Sequence, residues 1–303
     1  MNIVGIDRVV LGVEEMAETQ RFLTDFGLTE REHGVSGSRF TTQDGTDLVL
    51  RGAGDTSLPH AVGSPVNARE TIWGVASTAE LERIGDELSR DRQVKLGEDN
   101  VLRSMDDTGF GIAFQVTQRA SFDAQPALAN VCGLPPQRGR NQRVDFTRPV
   151  RPRSLGHIVF FVPDLAAAQR FYMDRLGFRL TDSYRGRSAF LRAAGSNDHH
   201  NLFLIQRPGQ PGGLHHIECH VTDFNEVMMG GTRLANRGWV TQTGPGRHVL
   251  GSNYFWYFKT PFGAAMELAA DMDWVDDEWQ AGEWEYSPEM VAVWTTSLTR
   301  YGH

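Results

Sequence analysis

The chain has 303 residues, 40% of them hydrophobic, and a formal charge of -8. That length suffices for one large core or two ordinary ones, and the composition is that of a globular protein rather than a disordered or fibrous one. Of the basic residues only Lys95 and Lys259 are lysines, and the arginines are scattered apart from a loose group between Arg138 and Arg153, so no nucleic-acid partner is expected. Two distant cysteines, Cys132 and Cys219, read as free thiols in a reducing compartment. Neither a signal-like start nor an apolar run of membrane-spanning length stands in the sequence, so a cytoplasmic location and no membrane partner are expected.

In chain order, Arg8 to Val13 is rich in β-branched residues and reads as a strand. Glu14 to Leu23 then reads as an amphipathic helix with Met16, Thr19, Phe22 and Leu23 on one face. Gly27 is placed to end it in the left-handed conformation. Strand-like pieces follow at Ser38 to Thr42 and Asp47 to Arg51, joined by a turn at Asp44-Gly45. A second unit starts near Thr71 to Val75, with a helix over Thr78 to Leu88.

The same grammar returns 149 positions after Arg8, at His157. His157 to Val162 is the strand, Pro163 to Tyr172 the helix, and Ser188 to Arg192 and Asn201 to Gln206 are the following strands. Gln20-Arg21-Phe22 matches Gln169-Arg170-Phe171, and Phe110 to Gln115 matches Phe262 to Glu267. His216 opens the last unit, whose helix lies around Asp223 to Asn236. A repeat of this kind outranks local propensity in setting the fold. The expected architecture is α+β: four βαβββ modules paired into two domains, each a half-open, barrel-like mixed sheet with flanking helices. The boundaries read as an N-terminal domain at 1–135, a linker at 136–152 marked by Pro149 and Pro152, a catalytic domain at 153–270, and an acidic, tryptophan-rich tail at 271–303. The tail's tryptophans read as packing on the parent domain or on a neighbouring subunit rather than on a ligand.

Tyr254 to Ala269 reads as an aromatic strand, a Thr-Pro-Phe-Gly turn and an apolar strand with Glu267 inside it. Burying an unpaired carboxylate costs several kcal/mol, so Glu267 calls for a partner or a metal. His157 and His216 open strands of their own. Taken singly, each histidine would be a hydrogen-bonded structural residue and Glu267 an arginine partner. Together, two histidines and a carboxylate from different strands form the donor set of a mononuclear non-haem iron site, because inward side chains of a curved sheet converge. The first half offers Arg8, Glu70 or Thr71, and Gln115 at the matching places, so the metal site is expected in the second half alone. His199-His200 precedes a strand, and only one of the pair would point inward from regular strand, with His200 favoured. Tyr257 can present its phenol to the same pocket, with a core aromatic as its alternative, and His248 stands ahead of the aromatic strand. A histidine and a tyrosine beside a Lewis-acidic metal make an acid/base pair. His215 and His220 are read as structural or supporting residues. The absence of a Gly-x-Gly-x-x-Gly or Gly-Lys-Ser/Thr loop implies no nucleotide cofactor.

These motifs resemble the vicinal oxygen chelate superfamily, and within it the two-domain type I extradiol ring-cleaving dioxygenases, over nearly the whole chain to about Ala270. His248, Tyr257, Thr260-Pro261-Phe262-Gly263 and Glu267 look like the family's C-terminal signature. Gly156-His157-Ile158 and Leu214-His215-His216-Ile217 look like its metal-histidine motifs, and His199-His200 like the segment with its catalytic histidine. The resemblance implies that His157, His216 and Glu267 hold iron(II), or less commonly manganese(II). It implies that His200 is the acid/base residue and that Tyr257 and His248 hydrogen-bond substrate. It implies an aromatic diol and O2 as reactants, both oxygen atoms entering a ring-opened product, and a homo-oligomer. Asn201 departs from the pattern, which has a small hydroxyl residue there, and is expected to reshape the distal pocket. Alternatives on the same fold are a hydroquinone dioxygenase, a glyoxalase-like isomerase, or a non-catalytic small-molecule binder; a zinc hydrolytic site is chemically conceivable.

Overall fold

The computed structural model describes residues 1–34, 37–64, 66–123, 128–145 and 147–296. The first half runs β1 (Ile3–Val13), α1 (Met16–Phe26), β2 (Thr29–Glu32), β3 (Gly37–Thr41), β4 (Asp47–Gly52), β5 (Asn67–Val75), α2 (Thr78–Leu88), β6 (Lys95–Leu96), β7 (Leu102–Met105) and β8 (Gly111–Val116). The second half runs β9 (Ser154–Val162), α3 (Leu165–Arg170), β10 (Arg179–Tyr184), β11 (Ser188–Arg192), β12 (Leu202–Gln206), β13 (Gly213–His220), α4 (Phe224–Asn236), β14 (Thr241–His248), β15 (Tyr254–Lys259) and β16 (Ala265–Ala270). The tail adds β17 (Gly282–Trp284), α5 (Pro288–Val291) and β18 (Ala292–Thr295).

The helices start and stop where side chains satisfy their exposed backbone groups. Ser77, Asp164 and Asp223 each accept the N–H three residues on, capping α2, α3 and α4. Gly27 ends α1 at a φ of 107°, the left-handed conformation expected of it. The helix expected over 163–172 is shorter as an α-helix and continues as a wider π turn over Phe171–Arg175, which buries both Phe171 and Tyr172. Strands β2 and β10 follow their helices directly. They are short, with no apolar alternation to announce them.

The first sheet is ordered β2-β3-β4-β1-β5-β8-β7-β6, and the second β17-β10-β11-β12-β9-β13-β16-β15-β14-β18. Removing the two tail strands leaves the same order twice, so the α+β architecture of paired βαβββ modules stands. Within each module the first strand pairs parallel with the last, as in β1–β4, β5–β8, β9–β12 and β13–β16. Modules meet along antiparallel seams, β1–β5 and β9–β13. A single apolar cluster runs through both halves and includes Phe22, Trp73, Phe160 and Phe258. Among the described residues, positions 117 to 153 contain no helix or strand. No helix among them is long and apolar enough to cross a membrane.

The tail is built into the second sheet. β17 lies parallel to β10 at one edge and β18 antiparallel to β14 at the other. Trp279 and Trp284 donate their indole N–H groups to Thr181 and Asp182, while Trp274 stays 82% exposed. The expectation of packing on the parent domain therefore holds for the first two tryptophans, but other tail residues reach further, into the site described next.

Candidate metal centre and active site

Three neighbouring strands bring the donor set together. His157 stands on β9, His216 on the adjacent β13, and Glu267 on β16 beyond it. All three are buried, and among the described residues they form the one cluster of histidine, cysteine and carboxylate ligand atoms close enough to share an ion. The two Nε2 atoms are 3.0 Å apart, and each is 3.3 Å from Glu267 Oε2. Ligand atoms on one face of an octahedron, at bonds of about 2.1 Å, are separated by about 3.0 Å. Burial lowers the His157 imidazole to about 4 and that of His216 to about 3, leaving both in the neutral form a metal binds. Glu267 Oε2 has no hydrogen-bond partner, whereas Oε1 accepts from the Asn253 amide at 3.2 Å. A buried carboxylate oxygen beside two neutral imidazole nitrogens is a set of donors suited to a cation. The set fits iron(II) or manganese(II), and its two histidines face the open side.

That open side is a cavity of about 630 Å³. His200 lines it, its ring 4.3 Å from that of His157. His199 and His200 precede β12 in a bend, so strand alternation does not apply and both are buried. His200 faces the cavity, while His199 is held by Asp182 at 2.8 Å and contacts His200 Nδ1 through its own Nδ1 at 3.1 Å. Asp182 in turn accepts from the Gly282 N–H and the Trp284 indole of the tail. Burial holds the His200 imidazole well below its ordinary range, hence neutral. Tyr257 and His248 also line the cavity, joined by a 3.0 Å hydrogen bond between the phenol and Nε2. His248 Nδ1 is 2.9 Å from the Val291 carbonyl, again in the tail. Tyr286 and Val291 complete the wall. The tail thus braces two of the polar cavity residues and contributes to the lining. Composition alone did not reveal this, because the contacts are made by backbone atoms and ordinary aromatic residues.

Asn201 departs from expectation. Its amide donates to the Gly156 carbonyl at 3.2 Å and its Oδ1 accepts the Ala193 N–H at 3.1 Å. It fastens the loop carrying His200 to β9 and does not line the cavity. Sequence reasoning also passed over Asn253, Asp182 and Glu218. Glu218 had a readable signal, being a second carboxylate inside an apolar strand and two residues from His216. At the rim, the Arg187 guanidinium stacks on Tyr286 and that of Arg207 on Phe161, and no acidic side chain lines the cavity.

Among the described residues of the first half no such cluster forms. Arg8, at the place of His157, is paired with Asp47. Strand register puts Glu70 against β1 and Ile72 against β8 where His216 would stand, and Thr71 falls on the other face. Gln115, opposite in sequence to Glu267, donates to Asp7 at 3.0 Å.

Residues 154–268 match the Glyoxalase/Bleomycin resistance protein/Dioxygenase superfamily. Metapyrocatechase 2 of Cupriavidus necator is 41% identical over 167 residues, 54% of this chain and 51% of that protein. An iron-dependent extradiol dioxygenase of Rhodococcus jostii (strain RHA1) is 32% identical over 164 residues, 50% of this chain and 51% of that one. The chain thus spans about half the length of the curated relatives it matches. Among solved structures, the Mn(II)-bound glyoxalase from Novosphingobium aromaticivorans superposes with a TM-score of 0.75 at 22% identity, covering 97% of this chain and 91% of that one. The 2,2',3-trihydroxybiphenyl 1,2-dioxygenase from Sphingomonas wittichii strain RW1 does so at 0.74 and 19% identity, over 98% and 100%. The two-domain fold of these structures therefore extends over nearly the whole chain.

Proposed function

We propose that the chain is an iron(II)-dependent extradiol dioxygenase, with manganese(II) as the alternative metal, that opens the ring of a catechol-type diol with both atoms of O2. The reading rests on one observation: His157 and His216 of the His157–His216–Glu267 cluster line a cavity together with three further acid/base side chains, His200, His248 and Tyr257. The ion, when bound, supplies adjacent positions for the two diol oxygens and O2 and a path for electrons between them.

The protein's own residues do the rest. His200 has Nδ1 turned to His199, which leaves Nε2 for the reactants. Being neutral, it takes a proton from a diol hydroxyl and returns it to oxygen as the ring opens. His248 Nδ1 donates to the Val291 carbonyl, so the neutral ring's Nε2 accepts the Tyr257 O–H, and the phenol oxygen is left to accept from a diol hydroxyl and keep the diol in one orientation. Phe190 and Phe203, stacked with centroids 3.9 Å apart, exclude water and receive an apolar ring substituent. Arg187 and Arg207 at the rim suit a substituent that ends in an anionic group.

The test is anaerobic purification with iron quantitation, followed by oxygen uptake and visible spectra on catechol, 3-methylcatechol, 2,3-dihydroxybiphenyl and homoprotocatechuate. One O2 consumed per diol with a yellow product is the expected result, with the lowest KM for the carboxylate-bearing diol. Tight iron binding without oxygen uptake moves the reading to hydroquinone cleavage or to a non-oxidative isomerase. A protein that binds no metal overturns the roles given to His157, His216 and Glu267.

A further inference from the structure

Beneath the donor set lies a buried carboxylate that the reaction does not use. Glu218 is on β13 between His216 and His220, all three on the same face, and the pairing of β13 with β9 slips at this point. Its side chain is fully buried. Glu218 Oε2 lies 3.5 Å from His157 Nδ1, a nitrogen that itself lacks a partner. Glu218 Oε1 is 2.9 Å from His220 Nδ1, and His220 Nε2 is 3.5 Å from Asp198 Oδ2. The side chain of Asp198 is 40% exposed, so the row runs from the metal centre to the surface.

The first half shows what the spot holds without a metal. Asp7 stands where the second half has Gly156, and Gly74 where it has Glu218, because Gly74 is the strand partner of Gln115 and Glu218 that of Glu267. A Cβ on Gly156 would fall 1.9 Å from Glu218 Oε2, and one on Gly74 would fall 2.4 Å from Asp7 Oδ1. Each half thus clears one strand to admit a carboxylate from the neighbouring strand. Asp7 spends its oxygens on the fold, accepting from Gln115, from the Thr117 hydroxyl at 2.8 Å and from Arg119. Glu218 instead faces two histidines, His157 and His220.

The missing donor follows from coordination chemistry. His157 turns Nε2 to the donor cluster, so a metal there forces the ring proton onto Nδ1. The acceptor within reach is Glu218 Oε2. We propose that Glu218 is a positioning residue of the metal centre: its carboxylate accepts the Nδ1–H of His157, fixing that ring's orientation and strengthening it as a ligand, while His220, backed by Asp198, holds the carboxylate in place. Partners of this kind behind a metal-bound imidazole typically contribute about 10- to 100-fold in metal affinity. This rests on the metal reading of His157, His216 and Glu267.

The experiment compares the parent with Glu218→Gln and Asp7→Asn, measuring Fe(II) and Mn(II) affinity by chelator competition and the melting temperature of each protein with and without metal. Glu218→Gln is expected to weaken both metals about 10- to 100-fold, and its Mn(II) complex to give an altered EPR spectrum. Asp7→Asn should lower the melting temperature and leave affinity unchanged. A Glu218→Gln protein that binds both metals within twofold of the parent overturns the proposal, as does one that melts lower without metal while its affinity is intact. Failure of the parent to bind metal sinks the donor-set reading instead, so the two failures are separable.

Discussion

The two halves of the chain have the same strand order, the same parallel pairings and the same antiparallel seam between modules, yet they do different things with their concave faces. In the first, inward polar side chains neutralise one another: Arg8 with Asp47, Asp47 with Arg39, Gln115 with Asp7. In the second, the corresponding positions hold neutral imidazoles and a carboxylate whose oxygen has no donor. A fold stable with a closed polar network can evidently also tolerate an open one. The open network carries a standing cost of buried, unpaired charge that a cation relieves.

The comparison is broken most directly by giving the second half the first half's residue. Glu267→Gln makes the position match Gln115. It should reduce Fe(II) affinity by at least about 100-fold, more than loss of a supporting partner would, while the metal-free protein melts no lower than the parent. Metal content after anaerobic loading and gel filtration reads the result. Parent-like occupancy would mean that the contrast between the halves has nothing to do with metal.

His200→Ala sharpens the contrast within the second half. The ring lies against His157 but belongs to no donor set, so metal should stay bound while turnover falls about 10²- to 10⁴-fold, the usual contribution of a general acid/base. Single-turnover rates on iron-loaded protein separate the two roles. Metal lost together with activity would mean that His200 is a ligand or holds one.

What was legible in the sequence divides along the same line. The repeat was visible because both halves keep the strand-helix start and the Phe-Gly turn, and from it the four modules followed. The donor set was visible because histidine and glutamate inside apolar strands are expensive unless used. Glu218 carries the same signal, but the repeat does not mark it, because Gly74 stands at its counterpart. The short strands β2 and β10 gave no periodic signal. The tail's place in the cavity depends on Val291 offering a carbonyl to His248 and on Gly282 offering an N–H to Asp182. Backbone groups are the same at every position, so no residue pattern could disclose them.

The smallest effect tests the seam where the halves meet. Asp106, in the first half, accepts three backbone N–H groups, from Thr108, Gly109 and Phe110, each at 2.9 Å, and the Tyr172 hydroxyl of the second half at 2.9 Å. Burial raises its carboxyl to about 6, against 3.8 for an exposed aspartate. The folded chain therefore binds the proton more tightly than the unfolded one. This group's contribution is complete below about pH 4, declines as pH rises through about 6, and is a constant penalty above, of order 3 kcal/mol for a shift of about two units. Asp106→Asn cannot ionise. Its Oδ1 can keep the three backbone N–H groups, and its amide can donate to Tyr172, whose hydroxyl then serves as acceptor. The stability of the variant relative to the parent should thus increase between pH 4.5 and 7.5, read as the difference in urea unfolding free energy at the two values. Subtracting the parent cancels every other titrating group that the substitution leaves alone. A difference that does not change with pH would mean that Asp106 ionises alike in both states, its four donors fully offsetting burial, and that the seam between the two halves is held by an ordinary charged contact.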